Sequence, residues 1–286
     1  MNILDFFSQP SKEDIYLNKL LIDFKEIRND DIFLVGYPKS GNTWIRFLIG
    51  NYISNGECNF INSHLYVPGL SEHIDVCNEM DQQRFMSTHF SYLSFKKFMR
   101  KYTRTGSGNV PKIIFIARDG RDVAVSYYYH LIKAKKIGSH VSFSEFINMF
   151  NSGDFNPFQN WNQYVLNWMD KGPKEFDFLL VEYSELLENP SKQLRRMLEF
   201  SGVRVNDKML LTAVGASSFN NMKTMEKSQS KDHIRLKDTS SSLMFVRSGE
   251  SGGWKNEFSD ASLKKFEKVN KKGLVKLGFK LCSSHQ

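Results

Sequence analysis

The sequence predicts an α/β fold: a single domain over residues 1–286, built on a parallel sheet with helices on both faces. Three observations lead there. Apolar runs at 31–36, 112–117 and 176–182 are each followed by a segment of helical character, and strands alternating with helices make a parallel sheet covered on both sides. The first run passes directly into a glycine-bounded loop and then a helix, the arrangement of a P-loop-like fold. Hydrophobic residues make up 41% of the chain, enough for a sizeable core.

Residues 11–28 read as an amphipathic helix, opened by Ser11 as N-cap with Asp14 in the capping-box place. The first strand follows at 31–36 and its helix at about 43–54. Residues 55–81 carry Asn59, Asn62, Pro68 and Gly69, turn chemistry with little periodicity. A helix is expected over 94–102, and a Gly/Ser/Thr-rich loop over 103–109. Lys112–Ala117 is a continuous apolar run of the kind buried in parallel sheets. A helix should start near Arg121, with Asp119 and Asp122 capping it and Arg121 on the surface or in a salt bridge. Helices at 144–150 and 161–170 flank a polar, proline-containing turn. The third strand, 176–182, leads toward a helix within 190–202. Residues 217–246 are polar and poorly periodic, as a lid or binding segment often is.

Bulk properties narrow the function classes. No apolar run approaches the roughly 20 residues needed to span a bilayer, so no membrane partner is expected. The N-terminal residues lack a basic region, and Asp5 interrupts their apolar part, unlike a signal peptide. Cys58, Cys77 and Cys282 are odd in number and lack metal-like spacing. They read as small buried hydrophobes in a reduced, cytoplasmic protein. The net charge of +8 has two readings. Lys264–Lys272 suits a solvated helix face, and a polyanionic ligand would account for part of the rest. No nucleic-acid motif accompanies the charge, so no nucleic-acid partner is expected.

The loop Val35–Trp44 carries the most chemistry. Gly36 and Gly41 have the separation of a phosphate-binding loop, and Thr43 takes its hydroxyl position, but Asn42 replaces the usual lysine and Lys39 lies inside the loop. A strand, a glycine loop and a helix N-terminus together direct backbone N–H groups at an anion. The displaced lysine argues against an ordinary magnesium-bound triphosphate.

Tyr37-Pro38-Lys39-Ser40-Gly41-Asn42-Thr43-Trp44 resembles the Tyr-Pro-Lys-Ser-Gly-Thr-Thr-Trp signature of the cytosolic-type sulfotransferases. Two further segments, Ile116–Tyr128 and Arg247–Asn256, match in the same order. The resemblance runs from about Asp31 to about Phe258. It implies sulfuryl transfer from 3′-phosphoadenosine 5′-phosphosulfate (PAPS) to a hydroxyl or amine of a small molecule. The product is adenosine 3′,5′-bisphosphate, and no metal is required.

Residue by residue, the resemblance implies that Lys39 stabilises the bridging oxygen as its bond to sulfur breaks, while loop amides with Ser40, Gly41, Asn42 and Thr43 hold the 5′-phosphate. Arg118 and Ser126 bind the 3′-phosphate, joined by Arg247, Ser248 and Gly249, where Ser248 replaces a lysine common in the family. Trp44 and Phe219 cover the adenine faces, Tyr183 meets the adenine edge, and Ser217 and Met222 line the nucleotide. Trp254 and Lys255 pack or orient the third segment. His89 is the general base, with Ser87 where the family often has an assisting lysine. His64, His73, His130, His140, His233 and His285 lack such context.

Two alternatives stand beside this reading. A P-loop kinase would need magnesium with its nucleotide, and Asn42 and the second anion site weigh against it. A non-catalytic binding module leaves the His89–Lys39 pair without purpose. The acceptor is sought in 55–81, 130–160 and 230–246. Phe60, Tyr66 and Phe155 suit a planar acceptor, and Glu72, Asp75, Glu79, Asp81 and Asp154 a cationic one.

Many relatives pair through a segment Lys-x-x-x-Thr-Val-x-x-x-Glu. Here the matching positions are Lys255, Ser259, Asp260 and Lys264. A two-fold contact repeats each misfit, and a buried unpaired charge costs several kcal/mol. We expect sedimentation equilibrium to show a monomer, or a dimer formed through another surface. A stable dimer cross-linked through residues 255–264 would contradict this.

Overall fold

The computed structural model describes residues 12–103, 110–153, 158–229, 239 and 244–282. Four parallel strands form one sheet in the order β2-β1-β3-β4. They are β1 (Ile32–Gly36), β2 (Phe85–Thr88), β3 (Lys112–Ala117) and β4 (Asp177–Glu182). The register sets Val35 beside Thr88, Gly36 beside Ile116, and Ala117 beside Glu182. The carboxyl ends of all four strands therefore lie along one edge.

Thirteen α-helices are formed among the described residues: α1 (Lys12–Asp23), α2 (Asn42–Ile53), α3 (Ser63–Tyr66), α4 (Ile74–Glu79), α5 (Tyr92–Thr103), α6 (Gly120–Lys133), α7 (Phe143–Ser152), α8 (Trp161–Glu175), α9 (Tyr183–Glu188), α10 (Pro190–Phe200), α11 (Asp207–Ala216), α12 (Phe219–Gln229) and α13 (Asp260–Lys276). A 3₁₀ turn spans Gly253–Asn256. None of these helices is long and apolar enough to cross a membrane.

The strands read as unbroken apolar runs because both faces of the sheet are buried. Side chains alternate between faces along a strand. Phe33, Val35, Ile113 and Phe115 enter one core with residues of α1, α5, α6, α7, α8 and α13. Ile32, Leu34, Ile114 and Ile116 enter the other, with residues of α2, α10 and α11.

Several expectations need correction. The first helix ends at Asp23 rather than near residue 28, and Ser11, its expected cap, lies outside the described residues. The sheet has four strands, not three. Residues 85–88 form β2, although Phe-Met-Ser-Thr carries no clear strand signal; its pairing with β1 makes it a strand. Residues 55–81 contain the short helices α3 and α4, and the poorly periodic region begins with α12. Cys58 and Cys77 are buried, but Cys282 is exposed; all three are free thiols.

Of the two expectations for Arg121, the salt bridge holds and the surface position does not. The Arg121 guanidinium is buried between Asp119, at 2.7 Å, and Glu267 of α13, at 2.9 Å. Asp119 does cap α6, accepting from the Arg121 N–H. Asp122 caps nothing; its two oxygens accept N–H bonds from Gly252 and Trp254, 130 and 132 residues away. The charge run behaves as expected: Lys264, Lys265, Lys268, Lys271 and Lys272 are exposed, while Phe266, Glu267 and Asn270 face inward.

At the opposite end of β1, Arg84 is completely buried and grips Asp31 bidentately, Nε–Oδ1 2.7 Å and Nη2–Oδ2 2.5 Å. It also donates to the carbonyls of Cys77 and Glu26. This pair ties the entrances of β1 and β2 to α4 and to the chain after α1. Removing one member of a buried pair strands the other charge. We expect Arg84→Ala to lower stability in urea denaturation by about 3–5 kcal/mol; a loss below about 1 kcal/mol would show that Asp31 is readily rehydrated.

Candidate active site

Four of the candidate site elements follow strand ends. The loop leaves β1, His89 follows β2, Arg118 follows β3 and Tyr183 follows β4. In open α/β sheets, ligands bind along this edge.

The loop turns sharply. Lys39 has φ 74° and Gly41 φ 119°. A side chain at Gly41 would meet the Tyr183 ring at 2.7 Å, and one at Gly36 would meet Asn42 Oδ1 at 2.7 Å and the Ile116 carbonyl at 3.0 Å. The Ser40 N–H closes the turn onto the Tyr37 carbonyl at 3.1 Å, so that amide is committed inside the loop. No side chain caps α2, and its first turn carries no acid. The amides of Asn42, Thr43 and Trp44 are among those that a helix leaves without an intrahelical acceptor. Asn42 Oδ1 is buried without a hydrogen-bond partner.

His89 Nδ1 lies 2.6 Å from the Gly36 carbonyl. A carbonyl only accepts, so Nδ1 carries the proton and Nε2 keeps its lone pair. Asn42 Nδ2, 3.5 Å from the same nitrogen, cannot also donate to it. Desolvation pushes the imidazole down to about 4, helped by Arg46 and Lys39 and opposed by the Gly36 bond. Ser87, in place of a lysine, is bound through its hydroxyl to the Pro68 carbonyl at 3.3 Å.

Arg118 lies over the Tyr183 ring, 4.2 Å from its centroid. It donates to the carbonyls of Lys39 (3.3 Å) and Glu250 (2.9 Å), while its Nε is buried without a partner. It thus joins the first loop to the segment 247–254. Asp122 holds the same segment through Gly252 and Trp254. The Trp254 ring is buried under the Arg121 guanidinium at 4.1 Å. Gly249, at φ 63°, lies so close to Phe219 that a Cβ would be 2.5 Å from the ring. Ser248 is half-buried in the same segment.

Trp44 donates its indole N–H to the Ser217 carbonyl at 2.9 Å and meets Tyr183 edge-on. Ser217 is fully buried, and its hydroxyl accepts from Asn51 in the interior. Met222 is buried against Phe47 and Phe60. Lys39, Ser126, His130, Lys133, Phe245 and Arg247 line one cleft with Tyr129 and Met244. There the Lys39 ammonium stands 4.1 Å above the Phe245 ring, and Arg247 lies 4.7 Å over Tyr129. Among the described residues no group of three or more His, Cys, Asp or Glu could hold a metal ion.

Sequence reasoning missed Tyr129, His130, Lys133, Phe245 and Glu226. The first two were findable, since they follow Ser126 at helical spacings of three and four, which share a face. His130 is neutral, pushed down to about 3 chiefly by desolvation and then by Lys39, Lys136 and Lys133. Phe245 and Glu226 carry no local signal. Of the acceptor candidates, Phe60 is buried against Phe47 at 4.8 Å and Tyr66 is half-buried. Glu72, Asp75, Glu79 and Asp81 are exposed. Asp154, Phe155, His233 and His285 lie outside the described residues.

Residues 29–278 match the family model described as the sulfotransferase domain. Sulfotransferase 1 family member D1 of Mus musculus is 30% identical over 252 residues, 85% of this chain and 82% of its own. Sulfotransferase 1E1 of Bos taurus is 29% identical over 255 residues, with 85% and 82% covered. A mouse sulfotransferase complexed with PAP superposes with a TM-score of 0.67 at 25% identity, over 91% of this chain and 88% of that one. Retinol dehydratase, in complex with androsterone and the inactive cofactor PAP, gives a TM-score of 0.71 at 19% identity, over 91% of this chain and 85% of that one, a likeness of fold.

The environment of His89 has a measurable consequence. We expect its ring resonances in NMR to titrate near pH 4, leaving it neutral at pH 5 and above. A midpoint near the ordinary value of about 6.5 would show that water reaches the ring.

Proposed function

The chain belongs to the sulfotransferase domain family, and on that premise we propose how its residues divide the transfer of a sulfuryl group from PAPS to a small-molecule hydroxyl or amine. The chain is a sulfotransferase. PAPS as donor is supported by the PAP held in the mouse relative of known structure and by this chain's own groups. The first-turn amides of α2 have no side-chain cap, and Arg118 has a buried Nε without a partner. Both suit an anion. When bound, PAPS supplies an electrophilic sulfur and a phosphate leaving group.

The observation that carries the reading is the His89 tautomer. With Nδ1–H held by the Gly36 carbonyl, Nε2 is the proton acceptor for the attacking group. Lys39, in the same loop, stabilises negative charge on the leaving oxygen. The amides of Gly41, Asn42, Thr43 and Trp44 and the Ser40 side chain surround the 5′-phosphate. Arg118, Ser126 and Arg247, with the Ser248–Gly249 backbone, take the 3′-phosphate. Trp44, Phe219 and Tyr183 frame the adenine, with Ser217 and Met222 behind them. Residues 1–286 act as one domain. Family membership replaces the kinase alternative.

Among the described residues, the candidate carboxylates Glu72, Asp75, Glu79 and Asp81 are exposed and give a cationic acceptor no enclosed partner, which leaves the aromatic side of the cleft, with Tyr129 and Phe245, as the better support for an uncharged, planar acceptor. Lys39→Ala, assayed with labelled PAPS across phenols, alcohols and amines, is expected to fold normally and to lose about 100-fold or more in kcat. Unchanged turnover in the folded variant would remove Lys39 from the mechanism.

A further inference from the structure

We propose that Glu226 is a positioning residue that sets Arg247 for the nucleotide's 3′-phosphate; this rests on the reading of Arg247 given above. Glu226 lies on α12, and only 2% of its surface is exposed. Its two oxygens accept from consecutive backbone amides, Phe245 N–H at 2.5 Å and Val246 N–H at 2.7 Å. The Lys133 ammonium, at the end of α6, stands 3.6 Å from Oε1. One carboxylate therefore joins three elements that bear on the cleft.

Two of these elements present cleft groups, and the third packs beneath one of them. The segment 245–247 sets the Phe245 ring under Lys39 and the Arg247 guanidinium over Tyr129. Helix α6 carries Ser126, Tyr129 and Lys133, all of which line the cleft. Helix α12 presents Met222 to Phe47 and Phe60, and Phe245 and Val246 pack on the same cluster. Two successive amides held by one charged group fix the direction of the chain, because each charge-assisted bond is short and directional. Arg247 is the next residue along that chain. An apolar residue at position 226 could fill the space, but it would leave both amides without this acceptor.

The test compares calorimetric affinities for adenosine 3′,5′-bisphosphate and for AMP, which lacks the 3′-phosphate. Glu226→Gln keeps shape and one acceptor oxygen but sets an NH₂ against the second amide. The wild type should prefer the bisphosphate. Glu226→Gln should weaken bisphosphate binding about tenfold or more, the equivalent of one charged hydrogen bond, and change AMP binding by no more than about twofold, since the α2 loop is untouched. A variant with the wild-type affinity ratio overturns the proposal, whatever its thermal midpoint. A wild type that does not distinguish the two ligands removes the 3′-phosphate site itself, and the proposal with it. If Glu226→Gln does not fold, Glu226→Asp carries the same test. It retains both oxygens on a shorter stem, and its expected loss of the ratio is about threefold; an unchanged ratio there also overturns the proposal.

Discussion

The backbone must pass from β1 into α2 within five residues, and the site depends on that turn. Gly36 lies against Asn42 and the β3 carbonyl of Ile116, and Gly41 lies against the Tyr183 ring. Neither position has room for a side chain. Lys39 adopts a left-handed backbone between them, a conformation uncommon for a residue with a Cβ and one that persists where the surroundings hold it. Here the Ser40–Tyr37 turn bond and the Arg118 contact to the Lys39 carbonyl are such restraints. The same geometry leaves the Gly36 carbonyl free to orient His89. A single turn thus positions a cation, a set of helix-start amides and a neutral imidazole.

Charge in the site is held largely by backbone groups. Arg118 donates to two carbonyls, and Arg46 donates to the Val67 carbonyl. Asp122 and Glu226 spend their oxygens on backbone amides. Carboxylates used in this way organise the loops around the cleft, although each also faces a cation, Glu226 the Lys133 ammonium at 3.6 Å and Asp122 the Arg118 guanidinium. His89 and His130 remain neutral beside the cations because desolvation disfavours a further charge.

Away from the cleft, buried ion pairs tie the layers together. Asp119–Arg121–Glu267 links the start of α6 to α13, and Arg121 also donates to the Lys280 carbonyl. The Trp254 ring packs on the same guanidinium. The third motif is therefore braced from beneath by the charge network that begins the second. This explains how a segment of irregular backbone, 247–252, can present Arg247, Ser248 and Gly249 reproducibly.

The sequence by itself determined the features whose causes are local. Apolar runs marked β1, β3 and β4, helical spacing marked α2, α6 and α8, and the spacing of Gly36, Lys39 and Gly41 marked the anion loop. The order of three motifs pointed to the family that the comparisons establish. Tertiary structure alone decided the rest, because the partners are far apart along the chain. β2 is a strand through its ladder with β1, about 53 residues away. Asp122 reads locally as a helix cap, yet its acceptors' partners arrive from residues 252 and 254. Arg121 reads as a surface or salt-bridged charge, and only the arrival of Glu267 decides for the buried salt bridge. Glu226 stands in a polar stretch without periodicity, and only the return of residues 245 and 246 gives its carboxylate a task. Local propensity and spacing are written in neighbouring residues, whereas hydrogen bonds between residues 19 to 146 positions apart become visible only when the chain has folded.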